Sequence, residues 1–420
     1  MPSNNSEIHK LAHTTYGKII ICYVCWVIRK AQEKGLKTLY FLARDGYVLR
    51  ETAVIICKKL SIEIDCRYLY CSRQSLRIPS FHLIGKEMYD YIFMGAEKLT
   101  ANVIMSRTGL DNKTVSDVYR EIGFDAENAN KSLSKEEFNR FCNSLINSDL
   151  FFKSVMKESE KSYSHTMGYL NQEKLTEQKN VAIVDSGWSG SMQKTLYTLL
   201  NSSGFTGKIT GFYFGLFSVP DEKKYGDYLT YYFSPKGCLK RKILFSNNLF
   251  ECMLSAPHGM TVGYRKENNM YFPVFSENNN STDDLIFEQI NGIKELAANV
   301  DNSFLEEKNC SELIKNCQKE IISTMVKPKR STAITLGEFS FCDDCGDAYR
   351  YKLADESQIP LLKNYLIIPR IFRKLVGKKR EHSTIFWVYG VIALLPRQKQ
   401  WWYRWNIFIW ESLRFIKIRI

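Results

Sequence analysis

The stretch Val181–Thr195 reads VAIVDSGWSGSMQKT. Four small apolar residues in a row have the content of a buried strand. The run breaks at Asp185, and a loop built mostly of Ser and Gly leads to the helical pattern MQKTLYTLL. In an open α/β sheet, ligands gather beyond the carboxyl ends of the strands, so an acid ending a strand faces that crevice. Gly187 and Gly190 permit tight turns and close backbone approach, while Ser186, Ser189 and Ser191 add hydroxyls. Free N–H groups at the start of the helix make an anion cradle. A phosphate on the cradle and a carboxylate nearby together suit a sugar phosphate. The same residues also fit a tight turn whose aspartate caps the helix.

Other nucleotide loops fit poorly. GxxxxGK[ST] is absent, and Lys194 falls inside the helical pattern rather than at its mouth. GxGxxG is absent as well, which argues against a dinucleotide.

Outward from this stretch the chain alternates textures. KIIICYVCWVIRKAQEKGLK reads as a buried helix ending near Gly35. TLYFLARDG follows as an apolar strand breaking into a loop, YVLRETAVIICKKL as a helix, and CRYLYCSRQSL as a second strand with basic residues at its exit. That alternation predicts a parallel α/β sheet. TVSDVYREIGF, SKEEFNRFCNSLI and LFFKSVMKESEKSYSHTMGYL have apolar positions three and four apart and read as amphipathic helices. The α/β texture resumes at Val181 and continues through GKITGFYFGLF. The expected organisation is a first part of a parallel-sheet core over 1–96, a helical insertion over 97–177, the second part of the core with its sugar-phosphate loop over 178–265, and a mainly helical C-terminal region over 266–420. SENNNSTDD reads as a surface loop and Asp284–Met325 as helices. No repeat or long low-complexity tract interrupts the pattern.

Length and composition fit a folded protein of two or three domains: 420 residues, 45% hydrophobic and 25% charged. The opening MPSNNSEIHKLAHTT lacks the apolar core of a secretory leader, and the twelve cysteines are scattered. The expectation is reduced thiols in a cytoplasmic protein. Cys342 and Cys345 form a CxxC without a second pair to complete a zinc site. The net charge of +13 is concentrated at one end: from Arg370 onward, twelve basic residues face two acids. A basic tail on a nearly neutral body indicates a local task rather than nucleic-acid binding, and no RNA module accompanies it. The tail mixes Trp, Tyr and Phe with Arg and Lys, but its longest uncharged run, Ser383–Pro396, is too short to span a bilayer. Two arrangements fit: a helix in the headgroup layer of the inner face of the cell membrane, or a helical hairpin packed on the body with its cations in solvent.

The order strand, acid, small-residue loop and helix resembles the phosphoribosyl-diphosphate motif of type I phosphoribosyltransferases. That motif has two adjacent acids; here Asp185 is followed by Ser186, and Ser189-Gly190-Ser191 stands where the usual Thr-Gly-Thr lies. More narrowly, YFLARDGY, DSGWSGSMQ and LFECMLSAPHGMTVGY resemble the phosphoribosyltransferases of bacterial polysaccharide assembly. The resemblance covers roughly residues 16–265. It implies a parallel-sheet phosphoribosyltransferase-like core and transfer of ribose 5-phosphate from phosphoribosyl diphosphate to a lipid-linked glycan acceptor, with inversion at the anomeric carbon. A separate partner phosphatase would later remove the phosphate. It also implies Mg²⁺, with Asp45 and Asp185 as its candidate ligands. Arg44, Arg73 and Arg77 become candidates to neutralise the departing diphosphate, and Gly46 lets the first loop come close. Asp185 would hold the ribose hydroxyls, and Trp188 would stack on a sugar or pin its loop to the helical insertion. The general base stays open among Asp45, Glu251 and His258. Each has a plain structural role as an alternative: Asp45 as a helix cap, Glu251 as a helix-surface acid, His258 as a core histidine. Three rival functions remain. A haloacid-dehalogenase-like phosphatase requires DxD after its first strand, where this chain has Asp45-Gly46-Tyr47. A nucleotide-sugar glycosyltransferase also lacks its DxD. A non-catalytic scaffold of polysaccharide assembly, bound to the membrane, would need no second acid.

Overall fold

Five apolar segments pair into one all-parallel sheet: β1 (Thr38–Leu42), β2 (Asp65–Leu69), β3 (Asn180–Trp188), β4 (Lys208–Leu216) and β5 (Asp227–Phe233), in the order β2-β1-β3-β4-β5. The computed structural model describes residues 4–220, 223–276, 283–341, 350–375 and 384–417. Cys342 and Cys345, most of the SENNNSTDD segment and the basic residues 378–380 lie outside them.

Along β3 the side chains alternate between two cores. Ala182 and Val184 join one, with Leu39 and Phe41 of β1 and Phe212 and Phe214 of β4. Val181 and Ile183 join the other, with Tyr40 and Leu42. A sheet apolar on both faces must be covered on both. The helices Gly17–Glu33, Gly46–Lys59 and Asp283–Ala297 cover the first face, and Arg73–Ile84, Asp149–Gln172 and Ser191–Ser202 the second. The chain is therefore an α/β protein, layered helix–sheet–helix.

Strand order places the site. From β1 the chain moves outward to β2 and then returns past β1 to β3, so the connections leaving β1 and β3 diverge. That reversal opens a crevice at the carboxyl ends of β1 and β3, where doubly wound sheets bind ligands. Asp45 follows β1 and Asp185 lies in β3.

The third strand differs from its expected form. Rather than ending at Asp185, it runs nine residues to Trp188, pairing Gly187 with Gly215 and Trp188 with Leu216. Only Ser189 and Gly190 remain as loop. The extension depends on Gly187, whose φ is +133°; a Cβ there would stand 1.9 Å from the Gly215 carbonyl oxygen. Gly187→Ala is expected to destabilise the protein by about 3 kcal/mol, read from the urea midpoint. An unchanged midpoint would mean that the β3–β4 pairing tolerates a side chain there. Inside the sheet, the Tyr23 hydroxyl sits 2.8 Å from the carbonyl oxygens of both Asp185 and Phe212, sharing one proton between them. It fixes the β3 backbone at the acid. Gln193 does the same for the helix that follows, donating to the Tyr225 carbonyl at 2.8 Å and accepting from the Tyr213 hydroxyl at 2.9 Å.

The first long helix begins well before the expected Lys18: helical turns run from Asn4 to Glu33, and Gly35 follows in the left-handed region. The segment Asn5–Glu33 is long and apolar enough to cross a membrane, yet 72% of its apolar window is buried inside the protein. It serves as a core helix, with the Tyr16 hydroxyl bonded to Gln289 at 3.1 Å. A third apolar cluster joins Ile78, Phe81, Tyr91 and Ile92 to Ile104, Tyr119, Phe141 and Val155. The helical insertion thus shares its core with residues on both sides of position 97. A hairpin, Thr261–Glu267 with Met270–Phe275, packs on the helix Asp149–Gln172. The tail folds as a hairpin of helices, Val388–Ala393 and Arg397–Lys417, the first largely buried.

Candidate functional site

At the crevice between β1 and β3 lies a cavity of about 440 Å³. Eleven of the fourteen residues expected at a site line it: Arg44, Asp45, Arg73, Arg77, Asp185, Ser186, Gly187, Trp188, Ser189, Ser191 and Glu251. They come from four separate stretches of chain, so the fold and not sequence proximity assembles them.

Asp45 stands at the N-terminus of the helix Gly46–Lys59 but makes no capping bond. Its Oδ2 instead accepts from the Ser186 hydroxyl, across from β1 to β3. Ser186 is 2% exposed, and its own N–H donates to Asp185 Oδ1 at 2.9 Å. One serine therefore ties both carboxylates into a single unit. This also sets aside the alternative of Asp185 as a helix cap: the helix Ser191–Ser202 is preceded by Gly190, in the left-handed region and without a side-chain cap.

Burial shapes the charge of these acids. Desolvation raises the proton affinity of Asp45, against the pull of the Ser186 hydroxyl, Arg44 and Arg73. Asp185 is pushed well above the usual carboxylate range, by burial first and the neighbouring Asp45 charge second. Glu251, on the helix Asn247–Met253, is raised to about 7, again by burial and then by Asp45. Its Oε1 accepts from the Trp188 indole N–H at 2.5 Å. Gln289 holds that helix in place by donating to the Cys252 carbonyl at 3.1 Å. Glu251 is thus an oriented cleft acid rather than a surface one.

Three cations face the three acids. Arg44 leaves β1; Arg73 and Arg77 lie one turn apart on the helix Arg73–Ile84. Arg77 Nη2 donates to Ser191 Oγ at 2.8 Å, and its guanidinium stacks 4.5 Å over Tyr91. Ser189 Oγ donates to Ser191 Oγ at 3.1 Å. An arginine, two hydroxyls and the start of a twelve-residue helix thus converge on one spot, an arrangement suited to a phosphate.

Three expected residues stand elsewhere. Gly46 is buried against β1, where a Cβ would meet the Phe41 carbonyl carbon at 2.6 Å; it serves helix–strand packing rather than ligand approach. Gly190 packs against Tyr228, whose ring would be 2.5 Å from a Cβ. His258 sits among Tyr47, Tyr68, Tyr70 and Phe275. Its Nε2 lies 2.8 Å from the Tyr68 hydroxyl and its Nδ1 2.8 Å from the Gly259 carbonyl. These partners are both satisfied by a neutral ring with the proton on Nδ1, and burial lowers its proton affinity. His258 is a half-buried ring held by two partners outside the cavity, which leaves Asp45 and Glu251 as candidate bases. His258→Phe should keep turnover near that of the unmodified protein while costing about 1–3 kcal/mol of stability through the unpaired Tyr68 hydroxyl. A large loss of kcat with an unchanged melting temperature would return His258 to the chemistry. Trp188 also differs from expectation: it packs among Phe217, Phe233, Phe245 and Phe250 rather than on the helical insertion.

Ser72, Asn247 and Asn248 line the cavity and were missed. Ser72 caps the arginine-bearing helix and donates to the Thr261 carbonyl at 2.6 Å. The serine before two arginines one turn apart was a readable cap signal. The Asn pair ahead of LFECM carries no signal beyond that of an ordinary helix start.

Among the described residues, no group of three or more His, Cys, Asp or Glu side chains could hold a metal ion unaided. Two carboxylates tied by one serine, Asp45 to its hydroxyl and Asp185 to its backbone N–H, nevertheless fit Mg²⁺, which takes few protein ligands and completes its shell with water and substrate phosphate oxygens. No family model matches the chain, and no curated protein matches it.

Proposed function

We propose that the protein transfers ribose 5-phosphate from phosphoribosyl diphosphate to a hydroxyl of a lipid-linked glycan, releasing diphosphate, on a phosphoribosyltransferase-like core. The observation that carries the reading is the tied acid pair, Asp45–Ser186–Asp185, facing Arg44, Arg73 and Arg77 across one cleft at the sheet's switch point. Such a cleft suits a substrate with two phosphate ends and hydroxyls between them.

Ser189, Ser191 and Arg77 hold the 5-phosphate at the helix start. Arg44 and Arg73 take the diphosphate, whose departure leaves charge for them to balance. Asp185 orients the ribose hydroxyls. Mg²⁺, held by Asp45 and Asp185 together with diphosphate oxygens, would offset leaving-group charge. The C1–O bond to diphosphate breaks as the acceptor oxygen bonds to C1 from the opposite face, giving inversion. The acceptor's proton passes to Glu251, whose affinity near neutrality suits a general base. Trp188 holds Glu251 in place and does not stack on the sugar.

The test is a titration with phosphoribosyl diphosphate and Mg²⁺, followed by assay of diphosphate release with a glycan acceptor. Binding with acceptor-dependent release supports the transferase. Failure to bind overturns it, binding without release on any acceptor favours a scaffold, and release of inorganic phosphate from a sugar phosphate favours a phosphatase.

A further inference from the structure

A second pair of cavities lies on the tail hairpin. One, of about 590 Å³, is lined by Trp401, Trp405 and Phe408 with Leu244, Val326 and Tyr389. The other, of about 730 Å³, is lined by Lys327, Lys329, Arg330 and the turn Ala393–Arg397. Lys327, Arg397, Gln400 and Arg404 line both, so an apolar trough opens into a cationic one.

Three observations give this trough a ligand. The first is its aromatic face. Trp401, Trp405 and Phe408 fall at i, i+4 and i+7 on one side of the helix, and they remain 69%, 47% and 39% exposed. The second is unbalanced charge. Arg330 pairs with Glu356, whereas no carboxylate among the described residues pairs with Lys327, Lys329, Arg397 or Arg404. The third is a pair of orphan buried atoms. Arg404 Nε and the Tyr389 hydroxyl are enclosed without a hydrogen-bond partner; both residues line the apolar cavity, and Arg404 also lines the cationic one. Two buried donors without an acceptor can be satisfied by the oxygens of a ligand seated there.

We infer that this trough binds a phosphate-bearing lipid, its headgroup among Lys327, Arg397, Arg404 and Tyr389 and its chain along Trp401, Trp405 and Phe408. An isolated inorganic anion would leave the aromatic face unexplained, and an apolar peptide would leave the four cations unbalanced. The inference stands apart from the transferase reading, since none of these residues lines the cleft. The two regions are linked all the same: Phe386 lines the cleft, accepts from Asn248 Nδ2 at 3.1 Å, and precedes Tyr389 by three residues. The chain thus passes from the cleft to the trough within three residues.

The full chain is tested by flotation with phosphatidylcholine vesicles, with and without phosphatidic acid, and by tryptophan fluorescence with inorganic phosphate. The expected result is binding that requires phosphatidic acid. It should weaken about fivefold for each of Lys327→Gln and Arg404→Gln and also weaken in Trp405→Ala, with melting temperatures unchanged. Lys327 is exposed and its substitution leaves the fold intact, so the test does not hinge on Arg404. No binding, equal binding to pure phosphatidylcholine, or binding indifferent to these substitutions would overturn the inference. Binding of inorganic phosphate in wild type and Trp405→Ala alike, without vesicle binding, would reduce the trough to a free-anion site and overturn it too.

Discussion

Asp185→Asn is expected to lower turnover by about three orders of magnitude while raising the melting temperature at neutral pH. The two effects share a cause. In the folded protein the Asp185 carboxyl is buried beside Asp45, which lifts its proton affinity well above the usual value of 3.8. The folded state therefore holds a proton that the unfolded chain releases, and stability falls as pH rises above that unfolded value. Asparagine cannot ionise, so the variant escapes this loss, and the gain should vanish as pH falls toward 4. The local geometry should survive, because an amide oxygen can take over the bond that Asp185 Oδ1 accepts from the Ser186 N–H at 2.9 Å. What disappears is the acid that ionises when a cation binds beside the ribose hydroxyls. Calorimetry and diphosphate release on the same preparation check both halves. Near-normal turnover would mean that Asp185 only braces Ser186. Lost turnover with a lower melting temperature would mean that the substitution acts through the fold.

Much of the site was legible because its chemistry follows apolar strands. TLYFL and VAIV had to be buried, and in a parallel sheet an acid ending such a strand faces the crevice, which placed Asp185, while the pairing of Asp45 with it came from the family resemblance. The extension of β3 was not legible, since Ser-Gly-Trp reads as loop unless one knows that Gly215 stands opposite Gly187. The role of Trp188 was hidden for the same reason: its partners Phe217, Phe233, Phe245 and Phe250 follow it by up to 62 residues. His258 shows the reverse case. An imidazole near an acid invites a catalytic reading, and only the surrounding Tyr and Phe rings reveal a half-buried ring with both nitrogens engaged outside the cavity. The tail was ambiguous by composition, because a hairpin docked on the body and a helix in the headgroup layer both use aromatic and basic residues. Its fold shows the docked hairpin, with Arg370 stacked on Tyr365 and Trp410 at 4.8 and 4.9 Å, while the Trp401–Trp405 face is left outside.

Glu251→Gln separates a base from a bystander through pH. In the folded protein Glu251 holds its proton up to about 7, against an ordinary value of 4.5. Between those values the folded state binds the extra proton, so stability drops as pH rises through this window and stays low above it. Glutamine keeps the Trp188 bond through its amide oxygen and removes the titration. The variant should match the unmodified protein near pH 4 and exceed it at pH 8 by up to about 3 kcal/mol. Activity should move the other way. If Glu251 takes the acceptor's proton, kcat/KM of the unmodified enzyme rises with pH to a plateau above about 7, the ionised form being the base. Glu251→Gln should lose that limb and about 10²–10⁴-fold in rate. A variant that gains stability at pH 8 yet keeps the acid limb would assign the proton transfer to Asp45, the other candidate base in the cleft. A variant without the stability gain would show that Glu251 is ionised in the fold at all working pH, and that a buried acid there is balanced by Arg44 and Arg73 more strongly than burial opposes it.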